Sequence, residues 1–187
     1  MAEEKKRRGR RDHLNDFYRD VSGNYVYTGV CYEHTGGVRA NTALLWRLWL
    51  MAAVMAAAVL AGGCISAPGV GRCFYVLLPY AAQIGVTGSI VWAVARWQVR
   101  EYPLREYIYR ATVQALPGRC LAQAVLAGVG LAAETLYLLL SGSDGRGAAA
   151  AIYLLLQACV LVLALLTRRA VLASDWQPEG CGGLTAE

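Results

Sequence analysis

The sequence is poor in charged residues, which make up only 17% of the chain, against about 25% in an ordinary soluble domain. It is also poor in histidine, with two in 187 residues. Its six cysteines are too few and too scattered for a disulfide scaffold, and neither residue type has the spacing of a metal site. Apolar residues are abundant instead, at 57% of the chain, with a mean hydropathy of +0.37. This composition excludes a disordered chain and an ordinary soluble domain.

Four apolar stretches are each long enough to cross a hydrocarbon core of about 30 Å as a helix, which takes about 20 residues. Backbone polar groups in lipid need internal partners, and the alternation typical of barrel strands is absent. The sequence therefore predicts an all-α, polytopic membrane protein with four transmembrane helices arranged as two hairpins. Within a transmembrane domain of residues 42–172, the predicted spans cover residues 44–64, 74–96, 120–141 and 148–168.

Lys and Arg are distributed unevenly around these spans, and basic segments near span ends stay in the cytoplasm. Most of the 18 basic residues precede the first span, connect the second to the third, or follow the fourth. Only Arg72 and Arg146 lie in the other two connections. We therefore expect a multi-pass protein of the cell membrane with both termini cytoplasmic. Four tryptophans fall near the predicted inner boundary, where indole rings are favoured: Trp46, Trp49, Trp92 and Trp97.

The N-terminal segment, residues 1–41, divides into two parts. Residues 1–12 form a basic run, expected to be disordered, that either fixes the topology alone or also attracts anionic lipid. Residues 14–38 place Tyr, Val and Thr between glycines, which predicts a short strand or small hairpin. This part is too short to bury a core alone. We expect it to contact the membrane, the middle connection or another protein, and we expect no nucleic-acid binding.

The connection between the second and third spans is predicted to contain a short interfacial amphipathic helix, at about residues 103–116. Pro103 suits the first position of a helix, and Pro117 suits its end. Apolar residues recur between them at helical spacing, while Glu106 and Arg110 form an i,i+4 pair. Residues 173–187 are predicted to be a cytoplasmic tail.

Cys64 and Cys73 flank the first outer connection, where an oxidising compartment and two nearby cysteines coincide. This arrangement predicts a disulfide that ties the first two spans together. A membrane thiol oxidoreductase is the alternative, but it needs a reactive thiolate from a Cys-x-x-Cys pair or a flanking base, and the sequence has neither. No catalytic, cofactor-binding or metal-ligating residue emerges elsewhere, so we expect a protein that is not an enzyme.

Glu134 is the one ionisable residue well inside a predicted span, which makes it a candidate functional residue because a charge in hydrocarbon is costly. The rise per residue of a helix places Glu134 roughly 10 Å below the outer surface. The same count brings polar side chains of the second and fourth spans to a similar depth. Together with Glu134, these side chains form a predicted intramembrane polar layer: Tyr80, Gln83, Thr87, Tyr153 and Gln157.

Two classes of function agree with this pattern. In the first, the protein is a small, oligomeric transporter or channel, and Glu134 binds a proton or cation within the polar layer. A purely structural role for the layer is the alternative, with a protonated Glu134 bonded to Gln83 or Gln157. In the second class, the protein is a membrane accessory or assembly subunit that binds a partner through residues 14–38 and the interfacial helix. The expected partners are therefore lipid and either further copies of this chain or another membrane protein.

Overall fold

The computed structural model describes residues 17–19, 25–27, 29–65, 67–100, 102–142 and 145–180. The basic run of residues 1–12, on which the prediction of anionic-lipid attraction depends, lies outside them. Four helices in the described part are long and apolar enough to cross a membrane, in agreement with the predicted spans. They are α1 (Gly37–Cys64), α2 (Phe74–Gln98), α3 (Glu106–Ser141) and α4 (Gly147–Leu172).

The four helices form a closed ring in which each helix packs against two neighbours: α1 against α2, α2 against α3, α3 against α4, and α4 against α1. Small residues such as Ala52, Ala127 and Ala164 are fully buried at these contacts, which lets the helix backbones approach closely. Large apolar side chains such as Leu48 and Ile90 are also buried, but many others face outward; Phe74 and Leu139 are both 79% exposed. A bundle with many large apolar residues on its outside suits a lipid surrounding, since lipid tails solvate leucine as well as a protein interior does.

The sequence predicts a separate interfacial helix at residues 103–116, but in this described range the structure has no such separate helix: most of these residues belong to the third long helix. Pro103 does not begin a helix: it follows a cis peptide bond from Tyr102 and precedes the short strand Leu104–Arg105. The helix begins at Glu106, and the predicted ion pair between Glu106 and Arg110 is present.

Pro117 does not end this helix either. A π-helical turn over Arg110–Gln114 interrupts the regular hydrogen bonding, and the α-helix resumes over Leu116–Ser141 with Pro117 in its first turn. In the first turn of a helix the missing N–H of proline removes no intrahelical bond. The connection and the third span are therefore one helical segment with a local change of register.

A small sheet closes one end of the bundle, so the all-α prediction needs amending. Its strands are β3 (Val30–His34), β4 (Leu104–Arg105) and β5 (Trp176–Gly180), and β3 lies in the middle, antiparallel to both others. The sheet thus joins the segment before α1, the connection between α2 and α3, and the segment after α4. Part of the predicted tail, residues 173–187, is a strand of this sheet.

Two further strands, β1 (Phe17–Arg19) and β2 (Tyr25–Tyr27), pair as an antiparallel hairpin, which agrees with the prediction for residues 14–38. We call the end of the bundle that carries β3, β4 and β5 the sheet end. The opposite end carries the connections at residues 65–73 and 142–146 and is called the loop end. The 28 residues of α1 separate the two ends by about 42 Å at the usual rise per residue.

Aromatic rings attach the sheet to the helices. Trp176 of β5 contacts both Trp97 of α2 and Tyr109 of α3, with ring centroids 5.5 Å apart in each pair. Tyr32 of β3 stacks on Tyr109 with centroids 4.1 Å apart. Trp97, predicted as a boundary residue, is therefore buried in this cluster, while Trp92 stays 69% exposed.

Candidate functional site

All six residues of the predicted polar layer lie in the bundle interior, and none of them is more than 8% exposed. Three come from α2, two from α4, and Glu134 alone comes from α3. They lie in the half of the bundle nearer the loop end or at its middle. The structure divides them into three hydrogen-bonded groups rather than one continuous layer.

The first group is a chain that crosses the bundle diagonally from α2 to α4. Gln83 Nε2 donates to Gln157 Oε1 at 2.9 Å, and Gln157 Nε2 donates to the Tyr153 hydroxyl, also at 2.9 Å. Gly130 of α3 packs beside this chain, and a Cβ at that position would lie 3.6 Å from Gln83 Nε2 and from Gln157. The absence of a side chain at Gly130 therefore leaves α3 close to the amides.

Tyr80 joins this group through its ring, whose centroid lies 6.5 Å from that of Tyr153. Its hydroxyl donates to the carbonyl of Val59 in α1 at 2.9 Å. Gly63, one turn further along α1, provides room for this hydroxyl, because a Cβ there would collide with it. The glycine-rich end of α1 thus accommodates a polar contact between α1 and α2.

The second group consists of Thr87 and a residue that the sequence analysis missed, Gln123. Gln123 Nε2 donates to Thr87 Oγ1 at 3.0 Å, and the glutamine is fully buried. This pair joins α2 to α3 one helical turn closer to the sheet end than Gln83. Gln123 gives little signal in sequence, because it lies near the predicted inner end of the third span, where a polar side chain is ordinary.

The third group is Glu134 and the connection between α1 and α2. The carboxyl is fully buried, and its Oε1 accepts a hydrogen bond from the backbone N–H of Gly69 at 3.3 Å. Glu134 Oε2 lies against Gly69, where a Cβ would collide with it, and has no hydrogen-bond partner. The predicted bond from Glu134 to Gln83 or Gln157 is absent: these amides bond each other and Tyr153, and the backbone N–H of Gly69 bonds the carboxyl instead.

This part of the interior contains hydrogen-bond acceptors that have no donor. Besides Glu134 Oε2, the side-chain oxygens of Gln83 and Gln123 are buried without a donor. Glu134 also has no ion pair with Lys or Arg among the described residues. Buried acceptors are ordinarily satisfied, so the unpartnered oxygen of Glu134 is a place for a proton or a cation.

The predicted disulfide between Cys64 and Cys73 is not part of the structure, in which both are free thiols. Cys64 is exposed at the end of α1, whereas the Cys73 side chain hydrogen-bonds Tyr75. The two sulfurs therefore have different surroundings. Cys31 of β3, by contrast, is disulfide-bonded.

Two carboxyl groups meet on the sheet, outside the helices. Glu33 of β3 and Glu179 of β5 are hydrogen-bonded through their side chains, beside a cavity of about 180 Å³. Burial, the charge of Glu179 and this hydrogen bond raise the pKa of Glu33 above its ordinary 4.5. No group of three or more metal-ligating side chains occurs among the residues that the structure describes.

Comparison with known proteins gives no further guide to this arrangement: no family model, no curated protein and no solved structure matches the chain.

Proposed function

We propose that the protein is a small membrane transporter or channel for protons or small monovalent cations, and that Glu134 takes up and releases the ion. The observation that carries this proposal is the fully buried Glu134 carboxyl, which has one oxygen without a partner and, among the described residues, no basic side chain paired with it. A bare carboxylate in an apolar interior is strongly disfavoured. The group is therefore stable there only with a proton or a bound cation.

The unpartnered oxygens of Gln83 and Gln123 support the same proposal. They lie on α2 and α3, on the sheet-end side of Glu134, and each belongs to an amide held by a bond from its own nitrogen. Neutral oxygen ligands at successive depths suit the stepwise transfer of a cation or a hydrated proton. The four helices enclose little space, so we propose that the complete pathway forms in an oligomer.

Gly69 supplies a mechanism for gating at the loop end. The connection covers the carboxyl from that side, and Ala67 within it is only 4% exposed. Hydrogen bonds to an ionised carboxylate are roughly twice as strong as those to a neutral group. One such bond does not offset the burial of a bare carboxylate, so the closed connection suits a protonated or cation-bound Glu134, and release of the ion favours opening.

The experiment is a flux assay on the full chain reconstituted in liposomes, with H⁺, Na⁺ and K⁺ gradients. We expect flux of at least one of these ions in the wild type, a reduced flux for Glu134→Asp, and no flux above empty vesicles for Glu134→Gln. Thr135→Val is the matched control, because Thr135 is exposed on the same helix and bonds only its own backbone turn. Wild-type flux in Glu134→Gln, or none of the three ions moving in the wild type, would contradict the proposal.

The alternative, a membrane accessory subunit, receives less support from the structure. Its predicted binding surfaces were residues 14–38 and the interfacial helix. Tyr32 pairs with Leu104 in the sheet and stacks on Tyr109, so parts of these two surfaces cover each other. Those parts of the two surfaces are therefore not free to bind a partner protein.

A further inference from the structure

The surface of α2 near the sheet end contains a cavity of about 370 Å³ that none of the polar groups described above uses. The described residues that line it are Trp92, Ala95, Arg96, Val99 and Arg100. Trp92 and Arg96 are four residues apart on α2, which places their side chains along one face of the helix, and Arg100 follows two residues after the helix ends at Gln98. Trp92 is 69% exposed and Val99 is 81% exposed, so the cavity opens on the outside of the bundle.

The two arginines of this cavity have no anionic partner in the described part of the chain. Elsewhere Arg110 pairs with Glu106, and Arg119 donates to the carbonyl of Ser89 at 2.8 Å. The guanidinium groups of Arg96 and Arg100 make neither kind of contact with the described residues.

The chemistry of the lining suits one molecule in particular. Two guanidinium groups that line one cavity can each donate to the oxygens of one phosphate, the anion for which their fork geometry is best suited. An exposed indole at the boundary of a membrane packs against the glycerol and upper acyl region of lipid. The volume is enough for a headgroup, whereas the acyl chains would lie along the apolar surface of α2.

We propose that this cavity is a binding site for an anionic phospholipid, with its phosphodiester between Arg96 and Arg100 and its glycerol region against Trp92. A zwitterionic headgroup is disfavoured because its ammonium would lie beside two guanidinium groups. The site is separate from residues 1–12, where the sequence predicts only a diffuse attraction to anionic lipid, and it does not depend on the proposed transport activity.

The test measures the retention of phosphatidylglycerol against phosphatidylcholine by the purified full chain, using native mass spectrometry after exchange from mixed micelles. At about 1 kcal/mol per basic residue, the double variant Arg96→Gln/Arg100→Gln should lose about 10- to 30-fold in affinity for phosphatidylglycerol. Arg39→Gln/Arg47→Gln is the matched control, because it removes the same charge from exposed positions of α1. This control should keep at least most of the wild-type affinity.

Two further arms separate the outcomes. Arg96→Lys/Arg100→Lys keeps the charge and should retain binding better than the glutamine variant, and thermal melting of each variant reports whether it is folded. Inorganic phosphate is added as a competitor at equal concentration and should displace little lipid. An equal loss in the Arg39→Gln/Arg47→Gln control would show general charge attraction and overturn the site. Full displacement by inorganic phosphate would show that the ligand of the site is not a phospholipid. Equal retention of phosphatidylglycerol and phosphatidylcholine by the wild type would likewise contradict the proposal.

Discussion

Gly69 is packed so closely against Glu134 that the side chain it lacks decides the contact. A Cβ at this position would collide with Glu134 Oε2, lie 3.0 Å from its Cδ and lie 3.2 Å from Val76 Cγ2. The backbone N–H can reach the carboxyl only because nothing projects from Cα. The contact between α3 and the connection that joins α1 to α2 therefore depends on one glycine and one glutamate, which are 65 residues apart in the chain.

Replacing Gly69 by alanine should separate the connection from Glu134. We expect Gly69→Ala to destabilise the protein by about 1–3 kcal/mol, the usual cost of inserting a methyl group into a packed site. Thermal unfolding in detergent, followed by circular dichroism, measures the change. Gly71→Ala is the control in the same connection, because a Cβ there would meet nothing within 4 Å. Equal melting temperatures for the two variants would show that the Gly69 contact is not formed.

The polar residues of the interior were predictable individually, but their partners were not. A glutamate or glutamine in an apolar run is conspicuous, and equal helical depth correctly suggested that Gln83 and Gln157 could meet. Gly69 was not predictable as a partner of Glu134, because a backbone N–H in a loop has no residue-specific signal. Gln123 was missed because it lies near the predicted inner end of its span, where a polar side chain is ordinary, and its pairing with Thr87 was missed with it.

At the scale of elements, length and hydropathy predicted the four helices, because lipid-spanning backbone must satisfy its own hydrogen bonds. The helix ends were less predictable. α1 begins at Gly37 rather than near residue 44, since nothing in its polar first turns prevents helix formation before the apolar run. Pro117 appeared to end a helix, yet the π-helical turn before it places the proline where its missing N–H is harmless.

The sheet was not predictable from local pattern. β4 has two residues, and β5, with Trp176, Pro178 and Glu179, has no regular alternation of apolar and polar residues. What specifies these strands is pairing with β3, together with the contacts of Trp176 with Trp97 and Tyr109. Such contacts between distant parts of the chain become visible only in three dimensions.

The carboxyl pair of this sheet should make its stability depend on pH. The pKa of Glu33 is raised in the folded protein, first by burial and then by Glu179, so the folded state retains the proton to higher pH than the unfolded state. The associated stability is fully present below the ordinary pKa of 4.5 and is lost as pH rises through the raised value.

We therefore expect the sheet of the wild type to melt at higher temperature near pH 4.5 than near pH 7, as followed by tryptophan fluorescence. Glu33→Gln should flatten this dependence, because glutamine keeps a hydrogen-bonding amide and does not titrate. Glu106→Gln is the control, since it removes a carboxyl from the same end of the molecule but one paired with Arg110. A pH dependence in Glu33→Gln as steep as in the wild type would show that the carboxyl pair is not its source.

For the whole molecule, the sheet agrees with the topology that four spans imply. Its strands come from before α1, between α2 and α3, and after α4, so all three segments lie on the same side of any membrane that the helices cross. The distribution of Lys and Arg predicts that this side is cytoplasmic. The disulfide at Cys31 argues for the opposite orientation, because disulfides persist in oxidising compartments.

Thiol labelling in intact cells decides between these orientations. In a background with Cys64, Cys73 and Cys159 changed to serine, one reporter is Val38→Cys, at the sheet end, where valine is 58% exposed. The other is Ser141→Cys, exposed at the loop end. We expect a membrane-impermeant maleimide to label Ser141→Cys in intact cells and Val38→Cys only after lysis, because the basic segments hold the sheet end in the cytoplasm. Labelling of Val38→Cys alone before lysis would reverse the orientation and place the sheet, with Cys31, in the oxidising compartment.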